Sequence, residues 1–322
     1  MSDLINVLMF GLLLGGIYGL VSIGLNLIFG VVRIVNFAQG ELVMFGMYGS
    51  YYAYSQWGMS PYVSVFLVAP AVGLLGMAIQ RLVIQPLHNE SNMQIFATFG
   101  LLMMFENIML MVTRGEALSI GGDVGAEVVS VGDMKFSLVR VVTLVAVTLI
   151  TIGLHFFLSR TMMGKAIRAV TQDKRAARTV GIHVERTYLF TFGIGAALAG
   201  MAGAMLTPIY SITPTVGGNF ILAAFAVVVL GGLGHIPGVI LGAFLLAALP
   251  EVLRHVAGPL QAMTDGRLDA AILRQLLVAL AMIGIMLLRP RGLWPSPRHE
   301  DRLMPDDGGG AAVSASKSGG QA

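Results

Sequence analysis

The chain has 322 residues, 56% of them hydrophobic and only 11% charged, against roughly 25% charged in soluble domains, and its mean hydropathy is +0.81. A chain this apolar cannot cover itself with polar surface in water, so it reads as an integral membrane protein. It has no cysteine, which excludes disulfide, iron–sulfur and thiolate zinc sites, and its net charge of +3 sits beside apolar runs rather than in a nucleic-acid-binding patch.

Met1 to Asn6 contain no Lys or Arg and one acid, Asp3. The apolar run from Leu4 to Phe29 is too long for a signal core, and reads as a retained first span. Further candidate spans cover 40–56, 62–84, 94–112, 138–158, 187–208, 218–233, 237–254 and 272–288, each near the length that a helix needs to cross a bilayer or somewhat short of it. The expected fold is all-α: a polytopic bundle of eight to nine transmembrane helices, some short or broken. The runs are continuous rather than alternating, which excludes a barrel. One transmembrane domain is expected over 1–294, with a cytoplasmic loop at 160–186 inside it and a disordered tail over 295–322, rich in Pro, Gly, Ser and Asp.

Charge orients the bundle. With the N-terminus outside, the inner segments and the inner end at Arg81 hold fourteen of the twenty Lys and Arg. The outer loop from Thr113 to Ser137 is acid-rich, which fits that orientation and places the C-terminus in the cytoplasm. Gly11, Gly15 and Gly19 in the first span, and Gly195, Ala199 and Gly203 in the sixth, recur every fourth residue and are expected to be packing seams. Their similar placement hints at two related halves.

Two stretches break helical regularity: Val35 to Gly40, with Asn36, Gln39 and Gly40, followed by Glu41; and Gly231 to Gly238, with Gly231, Gly234, His235 and Pro237. Each is either a tight turn or irregular backbone lining a pathway. Glu106 and Asn107 lie inside the run 94–112, where a carboxylate is costly and is a functional candidate, in a polar pathway or facing a substrate ammonium. Glu41 opens a span, where the helix dipole favours an acid.

The loop from Arg160 to Arg186 holds Arg160, Lys165, Arg168, Lys174, Arg175, Arg178 and Arg186, opposed only by Asp173 and Glu185. Ala166, Ala169, Val170, Ala177 and Val180 recur at helical spacing, and Lys165, Arg168, Gln172, Arg175 and Thr179 mark the other side. The pattern predicts one short amphipathic helix, with Gly164 just before it and Gly181 capping its end. It is either an ordinary positive-inside loop or a docking surface for a cytoplasmic partner.

Catalytic patterns are missing. The sequence has no H-E-x-x-H and no phosphate-binding G-x-x-x-x-G-K-[ST], since Gly164-Lys165 is followed by Ala166. It also has no G-x-S-x-G. No catalytic residue, metal site or cofactor is expected, and any ATPase that powers the protein is another chain. An ion-coupled secondary carrier with Glu106 as coupling carboxylate is the rival reading; an intramembrane enzyme is disfavoured.

From Leu4 to Trp294 the chain resembles the permease subunits of the branched-chain (hydrophobic) amino-acid ABC uptake transporters. The likeness rests on Ile34-Val35-Asn36-Phe37-Ala38-Gln39-Gly40-Glu41 and on Gly164-Lys165-Ala166-Ile167-Arg168-Ala169 with Gln172-Asp173 and Ala177 through Ile182. It extends to Gly231-Gly232-Leu233-Gly234 with Pro237-Gly238 and to Arg289-Pro290-Arg291-Gly292-Leu293. The family usually has His where Gln39 stands, so no proton-linked role carries over to that position. The resemblance implies a bacterial or archaeal cytoplasmic-membrane subunit that pairs with a second, related permease. Two cytoplasmic ATP-binding subunits would dock on Gly164, Lys165, Arg168, Gln172, Asp173, Arg175, Arg178 and Gly181, and an extracytoplasmic binding protein would deliver the ligand. It implies transport of amino acids or, within the same family, of urea or short amides.

Overall fold

The computed structural model describes residues 2–87, 90–120, 128–131, 134–263 and positions 279, 280, 283, 284 and 287. In chain order the helices are α1 (Ser2–Val32), α2 (Gln39–Trp57), α3 (Pro61–Ile79), α4 (Ser91–Thr113), α5 (Leu138–Arg160), α6 (Met162–Gln172), α7 (Lys174–Thr179), α8 (Val184–Leu206), α9 (Val216–Gly231) and α10 (Ile236–Met263). A π turn over Gln80–Ile84 continues α3. Eight of the predicted spans therefore coincide with helices. The ninth, 272–288, lies almost wholly outside the described residues, as do the tail from 295 and the motif at Arg289. In the segment between α4 and α5, strands β1 (Val128–Val131) and β2 (Met134–Ser137) pair antiparallel, Val131 opposite Met134.

Five segments are long and apolar enough to cross a membrane: Gly11–Val32, Pro61–Leu87, Asn92–Thr113, Val141–Arg160 and Val184–Leu206. Their burial sorts them into layers. About three quarters of the α1 and α8 windows is buried (78% and 72%), against 17% for α4 and 22% for α5. So α1 and α8 are central, and α4 and α5 form a rim. The rim and α3 present Phe66, Leu74, Phe96, Met111 and Leu149 outward, an apolar exterior suited to lipid. The protein is a multi-pass membrane protein.

α2 is more polar than its neighbours yet buried, because α1, α3, α8 and α9 pack around it. It crosses α8 with almost no side chain between the backbones. A Cβ at Gly203 would meet Met47 N at 2.9 Å and Gly46 Cα at 3.0 Å, and one at Gly46 would meet Gly200 Cα at 2.8 Å. Both predicted small-residue stripes are seams of this kind. Gly11, Gly15 and Gly19 face Ala248, Phe244 and Ala243 of α10, and Gly195 faces Gly24 and Ile28 of α1. With no hydrophobic gain from leaving lipid, such close packing is what holds membrane helices together.

These crossings yield a contrast. Gly203→Ala is expected to lower the stability of the detergent-solubilised protein by about 1–3 kcal/mol, the usual cost of overpacking. Gly218→Ala, at a position with nothing within 4 Å, should be neutral or slightly stabilising, since alanine is the better helix former. Thermal unfolding of the two variants beside the parent checks both.

Candidate functional site

The stretch 33–38 decides where the predicted pathway residues lie. α1 ends as Arg33 takes a left-handed φ of 63°, and its N–H donates to Phe29 O. The chain then turns back along α1. Gln39, the first residue of α2, donates from Nε2 to Gly195 O at 3.0 Å. Gly195 is about 16 Å along α8 from its start at Val184, at 1.5 Å per residue. α2 thus begins near mid-depth of a hydrocarbon core about 30 Å thick. Irregular backbone at that depth needs protein partners, and several polar contacts stitch this stretch in place. Ala38 N–H donates to Asn36 Oδ1 at 3.2 Å, Asn36 Nδ2 to Gln39 Oε1 at 3.2 Å, and Thr98 Oγ1 of α4 to Val35 O at 3.3 Å. Phe37 meets Phe99 edge to face. Asn36 and Gln39, both fully buried, are the stitches of this returning segment.

Glu41 sits one turn on and is different. Its side chain is 1% exposed and neither carboxylate oxygen has a hydrogen-bond partner. It lies directly against Gly217, where a Cβ would collide with Oε1, while Gly40 abuts the Gly217 carbonyl. The N-terminal ends of α2 and α9 therefore meet inside the bundle. Glu106 of α4 lies in electrostatic range of Glu41, on the stretch of α4 whose Phe105 meets Phe45 of α2 edge to face at 5.1 Å. Asn107 points elsewhere: it is exposed, and its Nδ2 donates to Met103 O one turn back.

The glycine-rich break is the tight turn between α9 and α10, with Gly232 (φ 100°) and Gly234 (φ 83°) in conformations that favour glycine. It lies at a helix junction rather than within a span. His235 Nδ1 accepts from Gly238 N–H at 3.1 Å, closing the first turn of α10. Gly231 touches the backbone of Gly238. Gly234 N–H donates to Asn26 Oδ1 at 2.7 Å. Sequence reasoning missed Asn26, a buried amide within the first apolar run whose presence there was the available signal.

The basic loop differs from the single predicted helix. Asp173 breaks it: its Oδ1 accepts from the N–H groups of Arg175 (2.7 Å) and Ala176 (3.1 Å), the geometry of an N-cap. The result is α6 followed by α7. Gly164 lies inside α6, where its N–H donates to the capping Thr161 Oγ1. The absence of a side chain there lets α6 close on Leu158 and Phe157 of α5. Gly181 does cap the end of α7: with φ 85°, its N–H donates to Arg178 O and that of Ile182 to Ala177 O, the paired bonds of a Schellman motif. Ile167, Val170 and Ala177 face inward. Val180, expected on that face, is 74% exposed because it follows α7 as its C-cap. Lys165, Arg168, Gln172, Lys174 and Arg175 are exposed, and Arg178 pairs with Glu185 at 2.7 Å, tying α7 to α8.

A separate cleft of about 540 Å³ opens between α2 and α3, lined by Phe45, Tyr52, Gln56, Trp57, Leu67 and Leu75 among others. It is chiefly apolar and contains none of the predicted pathway residues. Among the described residues no cluster of His, Asp and Glu could hold a metal ion.

The capping geometry sets an expectation. Asp173→Ala removes the α7 cap and should cost about 0.5–2 kcal/mol locally. Hydrogen exchange is expected to quicken at the amides of 174–179 while those of α8 keep their protection.

The comparisons bear on what this geometry belongs to. A family model described as "Branched-chain amino acid transport system / permease component" matches residues 7–288. The chain is 29% identical over 305 residues to the high-affinity branched-chain amino acid transport system permease protein BraD of Pseudomonas aeruginosa, covering 90% of this chain and 95% of that one. It is 30% identical over 284 residues to the probable branched-chain amino acid transport permease protein LivH of Methanocaldococcus jannaschii, covering 85% and 87%. It also matches LivM of Escherichia coli (strain K12), 27% identical over 322 residues, 89% of this chain and 70% of that protein. No solved structure matches. The chain belongs to the family of branched-chain amino acid transport system permease components.

Proposed function

We propose that the chain is the membrane-spanning subunit of an ATP-driven importer for branched-chain or other hydrophobic amino acids. It sits in the cytoplasmic membrane with its N-terminus outside and pairs with a second, related permease subunit. Two cytoplasmic ATP-binding subunits hydrolyse the ATP, and an extracytoplasmic binding protein delivers the ligand. The likeness to relatives named LivH and to one named LivM supports a pair of related permeases.

One observation carries the coupling part of this reading. The basic surface of α6 and α7 rests on the ends of helices that reach the bundle interior. A Cβ at Gly30, near the end of α1, would lie 4.0 Å from Thr171 Cγ2 of α6 and 3.9 Å from Gly234 Cα in the α9–α10 turn. α6 thus touches the end of α1, which in turn lies against the α9–α10 turn, while its other face offers Lys165 and Arg168 outward. A partner that displaces α6 would act on α1 directly and reach α9 only through it. Arg178 is tied to Glu185, so it positions α7 more than it offers charge to a partner.

Arg168→Glu and Arg175→Glu reverse charge on exposed positions and should leave the bundle folded. Each is expected to weaken co-purification of the ATP-binding subunits about tenfold or more, in line with like-charge juxtaposition at an interface, and to reduce ATP-dependent leucine uptake in proteoliposomes in step. Normal assembly together with full uptake would overturn the assignment of this surface.

A further inference from the structure

We infer that Glu41, supported by Glu106, is the group that receives the ammonium of the transported amino acid inside the bundle; this rests on the transport reading above. Glu41 is a carboxylate at mid-depth, 1% exposed, with both oxygens unpartnered. Among the described residues no salt bridge joins Glu41 to a cation. A carboxyl group kept at this depth without a partner is costly unless a proton or a cation neutralises it, which marks the position as a functional candidate.

The surroundings select the kind of cation. Glu106 brings a second carboxylate into electrostatic range. Gly217, which Glu41 abuts, opens α9, and Phe220 one turn further packs against the rings of Tyr18 and Tyr210 at 6.1 Å each. Neither Glu41 oxygen accepts a hydrogen bond from the first turn of α9, so the carboxylate is not that helix's cap. Nor does the Thr215 side chain cap it. The Val216 N–H is taken by Thr213 O at 3.2 Å; the N–H groups that follow it in the first turn have no intrahelical partners and lie beside Glu41, where they offer the substrate carboxylate a place. The acids and the helix ends together match a zwitterion.

The test uses the complete transporter in proteoliposomes. A hydrophobic carbodiimide is added during turnover, and the adduct on Glu41 is quantified by mass spectrometry. The expected result is labelling that excess leucine suppresses several-fold, whereas 4-methylpentanoate, the same molecule without its ammonium, does not. Absence of any Glu41 adduct during turnover, or equal suppression by the two compounds, overturns the inference. In parallel, Glu41→Gln keeps the size of the side chain and should cut leucine uptake about 10- to 100-fold, the scale of a lost charge-assisted hydrogen bond. Uptake at the parental rate overturns it. If that variant does not assemble, Glu106→Gln on the rim helix is read instead: a KM for uptake raised several-fold supports the inference and an unchanged KM overturns it. Parental complex that takes up no leucine with ATP would defeat the transport reading itself, an outcome distinct from all of these.

Discussion

Backbone cannot be left unpaired inside a membrane, and the position of α2 follows from how this chain meets that demand. A helix that begins at mid-depth needs a connecting segment to run through the interior, with every N–H and C=O on that segment answered by protein. Asn36 supplies the turn, Gln39 reaches the Gly195 carbonyl and Thr98 takes the Val35 carbonyl. None of this is possible unless α2 lies close to α8 and α9. That closeness comes from Gly46, Gly200 and Gly203 on one side and from Gly40 and Gly217 on the other. Polar stitches and bare crossings are thus one device: the glycines bring backbones within reach, and the amides satisfy what the reach exposes.

Much of this architecture was legible because lipid and packing leave different marks on a sequence. Hydropathy located the spans, since length and apolarity are what a bilayer demands. The four-residue spacing of Gly11, Gly15 and Gly19 announced a seam, though not that its partner would be α10. What could not be read was depth. A polar break such as Asn36 to Gly40 looks the same in sequence whether it turns at the surface or re-enters the core. Only the contact with Gly195, 156 residues away, distinguishes them. The glycine-rich break had equal claim to either fate and proved to be a turn, with His235 serving its first helical turn. Glu41 and Glu106 were each noticed singly; their approach depends on how α4 leans on α2, which no local pattern encodes.

The loop at 160–186 shows a different limit. Its helical periodicity was sound on either side of Asp173, but a side chain that hydrogen-bonds neighbouring backbone N–H groups competes with helix continuation. Asp173 does so, and the capped break turns one lever into two segments: α6 packed on α5, α8 and α1, and α7 on α8 through Arg178 and Glu185. An exposed ion pair of this sort contributes little stability, so its bearing on the fold is directional. It sets where α7 lies without holding it rigidly.

The same helix connects the two ends of the proposal. α9 runs about 21 Å at 1.5 Å per residue from Gly217, against Glu41, to Gly231, beside the turn that Asn26 fastens to α1 and that Thr171 of α6 approaches through Gly30. A short apolar helix packed on α1, α2 and α10 moves more readily as a body than by bending. Displacement at its turn would then change how its N-terminal end meets Gly40 and Glu41. The first half of the chain has a counterpart: α1, a returning loop and α2 correspond in order to α8, the 207–215 segment and α9, and the two short helices meet at their N-terminal ends. Under the proposal, the unpartnered carboxylate lies where these two N-terminal ends meet, and a ligand held there would be exposed to each side in turn as the ends shift.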